Sequence, residues 1–389
     1  MAGTGPGLQT ISAGLLAAIV GFASSFAIVI QGLVASGAST VEATSGLMAL
    51  SISMGLCSIL ASLTTKMPVS FAWSTPGAAL LASAGTIEGG FAAAVGAFLI
   101  SGLLIALAGL VRPFGRAVTA IPASLANAML AGVLFGLCLA PVKAVAELPI
   151  SALSIIAVWA ISFRFFRLFA VPLAMAMTFA IALATGGPID LSAVRPVSVP
   201  VFITPVFTVE ALISIGLPLF IVTMASQNIP GIAVLAAYDY RPKSGPLFTL
   251  SGIFSLLSAP FGGHAVNLAA ITAAMCANED AHKDPKRRYW AAVTSGAVYV
   301  FFGLFAGFVM AFVAKTPSVL IEAVAGIALL GALAFSIGEA TRVPENRDSA
   351  IITFLVTASG VSFFGVSGAF WGLLAGGAFM AVTRAKATK

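Results

Sequence analysis

The sequence predicts an all-α polytopic membrane protein: fourteen transmembrane segments in two inverted repeats of seven, two of them short and broken into a strand and a half-helix. Three observations predict it: a composition that no soluble fold can use, a series of apolar runs of spanning length, and a correspondence between the two halves of the chain. Of the 389 residues, 60% are hydrophobic and 8% charged, against about 25% charged in ordinary soluble domains. Mean hydropathy is +1.09. The 39 glycines and 20 prolines lie largely inside apolar runs, where neighbouring helices and ordered water can satisfy an interrupted backbone.

A helix spanning a bilayer needs about 20 apolar residues. Long runs lie near 11–35, 44–64, 90–111, 117–140, 149–164, 167–185, 208–236, 245–261, 288–314, 317–338, 349–366 and 368–384. No Lys or Arg occurs among the first ten residues, so the first run reads as a retained spanning helix rather than a cleaved signal peptide. Two shorter stretches, 67–84 and 263–277, open with strand-like residues and continue with small, helix-compatible ones. Charge decides whether these two cross. If both do, with both termini cytoplasmic, 16 of the 19 Lys and Arg residues are inside and only Lys143, Arg195 and Lys315 are outside. If neither does, the split becomes 12 to 7. The positive-inside rule favours the first arrangement, and with it fourteen crossings.

The halves correspond at an offset of 196 residues: Gln31 maps onto Gln227, Pro68 onto His264, and Thr75-Pro76-Gly77 onto Ile271-Thr272-Ala273. With one residue of slippage, 122–136 overlay 317–331 and Asn127 falls opposite Glu322. Seven crossings per half is an odd number, so the second half is inverted. Inverted repeats with broken segments at matching places are a transporter signature. Between the halves, the Pro- and Val-rich stretch 186–207 reads as an extended external linker.

A helix that begins inside the membrane presents unpaired N–H groups worth roughly half a positive charge. Two such ends meeting near Ser74–Gly77 and Ile271–Ala273 would make a midplane site for an anion. Neither broken segment holds a Lys or Arg. Dipoles at Thr75 and Ile271, and the hydroxyls of Ser74, Thr75 and Thr272, would have to meet the charge. Polar residues within spanning segments are functional candidates by default. Gln227 and Asn228, beside Pro230, are expected to line the cavity with their amides; helix–helix hydrogen bonding is the plainer role. Gln31, the repeat mate of Gln227, and Asn267 on the second strand carry the same two readings. Trp73 could stack on a planar ring, with Phe26 and Phe22 one turn apart on the first helix, and packing competes for all three. His264, whose imidazole ordinarily titrates near neutral pH, and Glu322, an acid about one turn into a spanning helix, are proton-coupling candidates. Their plainer roles are an interfacial polar residue and a first-turn acid complementing the helix dipole.

Other classes find little support in the residues. The net charge of +6 comes from basic residues placed singly between apolar runs, so no nucleic-acid partner is expected. Cys57, Cys138 and Cys276 lie in apolar segments without metal-ligand spacing and read as small buried hydrophobes. No phosphate-cradling Gly loop, HExxH, CxxC or paired carboxylates occur, so no catalytic residue, cofactor or metal is expected. Reading the residues alone stops at a carrier of a small anion. A passive small-anion channel and a membrane enzyme or signalling scaffold compete with it; the last lacks a soluble module, the longest polar loop lying around 278–288.

Four stretches go further. GFASSFAIVIQGL, SFAWSTPGAALL, MASQNIPGIAVLAAYDYRP and APFGGHAVNLAAITAAMCANEDAHKDPKRRYWAA resemble the benzoate:proton symporter (BenE-type) family, over nearly the whole chain. That family is similar in architecture to uracil and nucleobase permeases and to sulfate-type anion transporters. The resemblance implies a core domain from residues 1–116 and 208–316 and a gate domain from 117–185 and 317–389, with elevator-like movement between them. Gly132, Gly136, Gly326 and Gly331 would permit close sliding contacts, with ordinary helix packing as their plainer role. It further implies import of benzoate, or a similar small aromatic carboxylate, together with protons across a bacterial inner membrane. A homodimer is a further expectation, and another small anion or a nucleobase is the alternative cargo. Nucleobase permeases carry an acid in the eighth segment where this chain has Gln227. An amide does not repel a carboxylate, which suits benzoate. The same exchange removes an obvious proton carrier, leaving Glu322, His264 and the substrate's own carboxyl as coupling groups.

Overall fold

A chain this apolar crosses a bilayer only if each backbone N–H and C=O finds a partner within the protein, which selects helices. The computed structural model describes residues 6–387 except 112, 114, 116–121, 187–196, 362, 364 and 365. Arg112, Arg116, Arg195 and Lys389 of the charge balance, and nearly half of the 186–207 linker, lie outside the described residues.

The first span is α1 (Leu8–Ala23) and α2 (Phe26–Ala35), interrupted at Ser24–Ser25. α3 (Thr40–Thr65) opens with a capping box between Ser39 and Glu42. β1 (Phe71–Trp73) and α4 (Thr75–Ala84) form the first short stretch, and α5 (Gly90–Leu110) the next span. α6 (Ala123–Cys138), α7 (Ala140–Glu147), α8 (Pro149–Phe165) and α9 (Ala170–Gly186) complete the first half. The second half holds α10 (Val209–Ala237), α11 (Ser244–Ser258), β2 (Val266–Leu268) and α12 (Ile271–Ala277), then α13 (Tyr289–Leu304), α14 (Ala306–Lys315), α15 (Ser318–Thr341), α16 (Arg347–Ala358) and α17 (Gly368–Ala387). Among the described residues, eight helical stretches are long and apolar enough to span a membrane, or nine if α13 and α14, bent by 58°, count as one. The half-helices begin at Thr75 and Ile271, 196 residues apart (271 − 75).

Two expected spans differ. The run 288–314 bends at Phe305. The run 349–366 is helical only to Ala358, because Gly360 takes φ +66, a conformation glycine adopts freely and a helix does not contain. Beyond it Phe363 and Val366 form an isolated bridge. The three cysteines are buried and free, as expected.

α3 packs along α13, and α5 along α11. Small residues allow it: a Cβ on Gly55 would stand 2.5 Å from the Gly296 carbonyl oxygen, and one on Gly296 2.6 Å from that of Gly55, so the backbones themselves touch. The expected sliding glycines behave differently. Gly132 lies against Thr357 and Phe354, and Gly326 against Leu137 and Pro141, while Gly136 and Gly331 face open space. Two of them therefore serve packing among α6, α7, α15 and α16, and two make no close contact. The far end of α12 is held by Arg288, a buried side chain that donates to Ala277 O (2.8 Å) and His282 O (2.7 Å). Nearby, the Tyr240 hydroxyl donates to Pro285 O at 2.8 Å, and burial raises its pKa.

Gly55→Val should cost about 1–3 kcal/mol through overpacking and lower the melting temperature in detergent, whereas Gly136→Ala, in open space, should melt no lower than the parent.

Candidate functional site

β1 and β2 run antiparallel, with Phe71 opposite Leu268, Ala72 opposite Asn267 and Trp73 opposite Val266. Ser74 N→Ala265 O and Ala269 N→Ser70 O, both 2.9 Å, extend the ladder at each end. A two-stranded sheet has two unpaired edges, and no water reaches hydrocarbon to satisfy them. Side chains do so here. On one edge, Ser58 Oγ accepts from Phe71 N (2.8 Å) and Ser62 Oγ donates to Val69 O (2.9 Å). On the other, Ser255 Oγ accepts from Val266 N (2.9 Å), Ser251 Oγ donates to Val266 O, and Asn228 Oδ1 accepts from Leu268 N (2.9 Å).

α10 reaches both broken segments because its winding loosens into π turns at Leu212–Gly216 and Met224–Asn228, a distortion that often accompanies function. Thr223 Oγ1 meets Ser74 Oγ at 3.0 Å, and Asn228 holds β2 as described. Asn267, with its amide oriented to suit its neighbours, accepts from Ser74 N (3.0 Å) and donates to Leu268 O (2.9 Å). Trp73 Nε1 donates to Ser25 Oγ (2.9 Å) in the α1–α2 break. Its ring lies 5.2 Å from Phe22, which in turn stacks on Phe26 at 5.7 Å and tilts against Phe302 at 4.9 Å.

The two half-helix starts differ in their caps. At α4, Ser74 Oγ accepts from Gly77 N (3.1 Å), Ala78 N bonds Ser74 O (2.8 Å), and Pro76 has no N–H. Only the Thr75 amide is left over, fewer donors than the expected open helix end. At α12 the cap position is Ala270, which offers no side-chain bond.

The expected site residues therefore fall into groups. Trp73, Ser74, Asn228 and Asn267 belong to one bonded framework, and Trp73, 2% exposed, is tilted against Phe22. Phe26 is buried in the same aromatic stack, and Thr272 is buried against Gly21. Gln31, Thr75 and Gln227 are half-buried, and their side chains bond to no described residue. Gln31 adjoins Gly32, which lies on the Ala78 carbonyl of α4. Ile271 is 67% exposed. His264 is 0% exposed rather than interfacial; its Nδ1 accepts from Ala265 N (2.7 Å) and its ring meets Phe98 edge-on. Glu322 is half-buried and forms no ion pair among the described residues. Ser58, Ser62, Ser251, Ser255 and Thr223 escaped the sequence reading; the signal for the four serines is a pair of hydroxyls spaced four apart on each of two largely apolar helices. A cavity of about 470 Å³ beside Arg288 is bordered by Asp239, Glu279 and Asp280, whose charge repels anions. No group of three metal-ligating side chains exists among the described residues.

Residues 6–382 match the family described as benzoate membrane transport protein, BenE. The chain belongs to that family. It is 40% identical over 374 residues to the inner membrane protein YdcO of Escherichia coli K12, covering 95% of this chain and 94% of that one. It is 34% identical over 375 residues to the benzoate membrane transport protein of Acinetobacter baylyi, covering 95% and 93%. The fold resembles the transmembrane domain of the cyanobacterial bicarbonate transporter BicA, with a TM-score of 0.64, 16% identity and coverage of 95% and 97%. It also resembles murine Slc26a9, an anion transporter solved in the inward-facing state, with a TM-score of 0.65, 11% identity and coverage of 100% and 70%. The Acinetobacter relative, BicA and Slc26a9 are membrane transporters, not enzymes. The architectural likeness that emerges is to these anion transporters; likeness to nucleobase permeases is an expectation of the sequence only.

Asn228→Leu, which strands the Leu268 amide, should cost about 1–3 kcal/mol of stability, while Gln227→Leu, whose side chain bonds nothing, should shift it by no more than about 0.5 kcal/mol; thermal melting in detergent compares the two.

Proposed function

We propose that this protein is a secondary transporter that imports benzoate, or a similar small aromatic carboxylate, together with protons. The observation that carries the reading is the meeting of two half-helix starts at one buried sheet, with Gln31, Thr75 and Gln227 left free beside it. These groups are polar and uncharged, so they can orient a carboxyl without either repelling it or trapping it as a fixed cation would. Membership of the BenE family and the name of the Acinetobacter relative support the cargo.

The proposed topology is fourteen crossings in two inverted repeats, with both termini cytoplasmic in a bacterial inner membrane and a homodimer as the assembly. Exchangeable packing supports the repeat: α3 on α13 mirrors α11 on α5, and α2 on α4 mirrors α10 on α12. The proposed core comprises residues 1–116 and 208–316, and the gate 117–185 and 317–389. Contacts between the two sets run chiefly through α2, α4 and α10, which suits elevator-like movement. α4 is packed against α6 while Ile271 at the start of α12 stays exposed; this supports a cavity open to the cytoplasmic side. Seclusion disfavours His264 as the proton carrier. Glu322 is the half-buried acid among the coupling candidates.

In proteoliposomes, an inward proton gradient should drive radiolabelled benzoate above its equilibrium level; uptake indifferent to the gradient would instead indicate a passive channel. Gln227→Ala should raise KM about tenfold without lowering the melting temperature.

A further inference from the structure

Asn127 on α6 is 5% exposed. Its Nδ2 donates to Ala123 O, one turn back, at 2.8 Å. That bond fixes the amide's orientation and leaves Oδ1 a buried acceptor with no donor among the described residues. Ser226 Oγ, in the second π turn, is buried and unpartnered as well. α6 packs against α4 and against this π turn, which also carries Gln227. α6 also packs along α15 and α16. Gly132 and Phe135 meet Thr357 and Phe354 of α16, and Gly136 faces open space. Asn127 shares a different face with Leu134 and Cys138, both buried in the main apolar cluster.

An acceptor without a donor selects a ligand that has a hydrogen to give. A carboxylate has none, whereas a neutral carboxylic acid has its O–H. We propose that Asn127 Oδ1 accepts the O–H of a substrate bound as the neutral acid, so that the cotransported proton travels on the substrate and not on a side chain. The inference rests on the reading of the site as a proton-coupled carrier of aromatic carboxylates. The carbonyl oxygen of the same carboxyl stays available to the donors of Thr75 and Gln227. A water-poor site disfavours the charged form of a carboxyl and so promotes its protonation. On release into water the acid dissociates into one carboxylate and one proton, and no protein group changes its charge.

Among the elements packed on α6, α4 and the π turn carry no titratable residue. α7 carries Lys143 and Glu147, α10 Glu210, α15 Glu322 and Glu339, α16 Arg347 and Asp348, and α17 Arg384 and Lys386. Glu339, next to the Ala340 that packs with Ala128, is paired with Arg342 at 3.4 Å.

The test is benzoate uptake by the purified protein in proteoliposomes at acidic and at neutral pH. Wild-type KM for total benzoate should rise with pH as the neutral fraction falls, about tenfold per pH unit above the acid's own pKa. Asn127→Ala should raise KM about tenfold at acidic pH and flatten this dependence, with the maximal rate and melting temperature held. Asn127→Ser, too short to reach the same point, should do likewise and stands in if the alanine variant does not fold. A KM unchanged in both variants, or raised equally at both pH values, overturns the inference. So does a pH dependence abolished by Glu322→Gln, which would put the proton on that acid. Wild-type protein that shows no proton-driven benzoate uptake at all would sink the reading of the site, a result distinct from either.

Discussion

Everything at the centre of this protein depends on closing the edges of a sheet of two three-residue strands in a place without water. Each bare backbone group there costs about 1–3 kcal/mol by protein measurements and more in hydrocarbon. Ser58 and Ser62 from α3 close one side; Ser251 and Ser255 from α11, with Asn228 from α10, close the other. The strands can then be short, and their shortness is what lets two half-helices begin inside the bundle. Close approach is the second requirement, which is why glycine stands where α10 passes over β2: a Cβ on Gly231 would come within 2.6 Å of the Leu268 side chain.

Framework and free groups are divided cleanly. Ser74, Asn228, Asn267 and Trp73 are polar or amphipathic but spend their hydrogen bonds on the protein itself. Gln31, Thr75 and Gln227 do not. In a membrane interior the second kind is the rarer and the more informative, because a polar group left idle has no stabilising reason to be there. The adjacent pair Gln227 and Asn228 shows the division within a single π turn, one amide fastening a strand and the next unspent.

Much of this was legible in the residues. Composition alone dictated a membrane bundle, and the offset between Thr75 and Ile271 located both half-helix starts. Burial of the three cysteines followed from their apolar surroundings. What hydropathy could not convey is where hydrogen bonds go. Counting apolar side chains treats Ser58 and Ser255 as minor interruptions, although they hold the strands. It likewise ran a helix through to 366, since the residues beyond Gly360 are as apolar as those before it. Trp73 and Asn267 were rightly singled out as unusual, but an unusual residue in a membrane has two uses, and only geometry separates them. His264 illustrates the same limit: a segment start looks interfacial in one dimension, and here it is enclosed by the helices around it.

Seven residues are too few to sustain a helix unaided, since isolated helices shorter than about 12 residues are marginal even in favourable sequences. α12 is such a fragment, and its far end is clasped by the buried Arg288 through Ala277 and His282. The electrostatic character of its other end thus exists only while that grip persists. The hydrophilic turn from Asn278 to Arg288 is consequently what holds α12 in helical form, a polar fastening for a segment too short to keep its own shape.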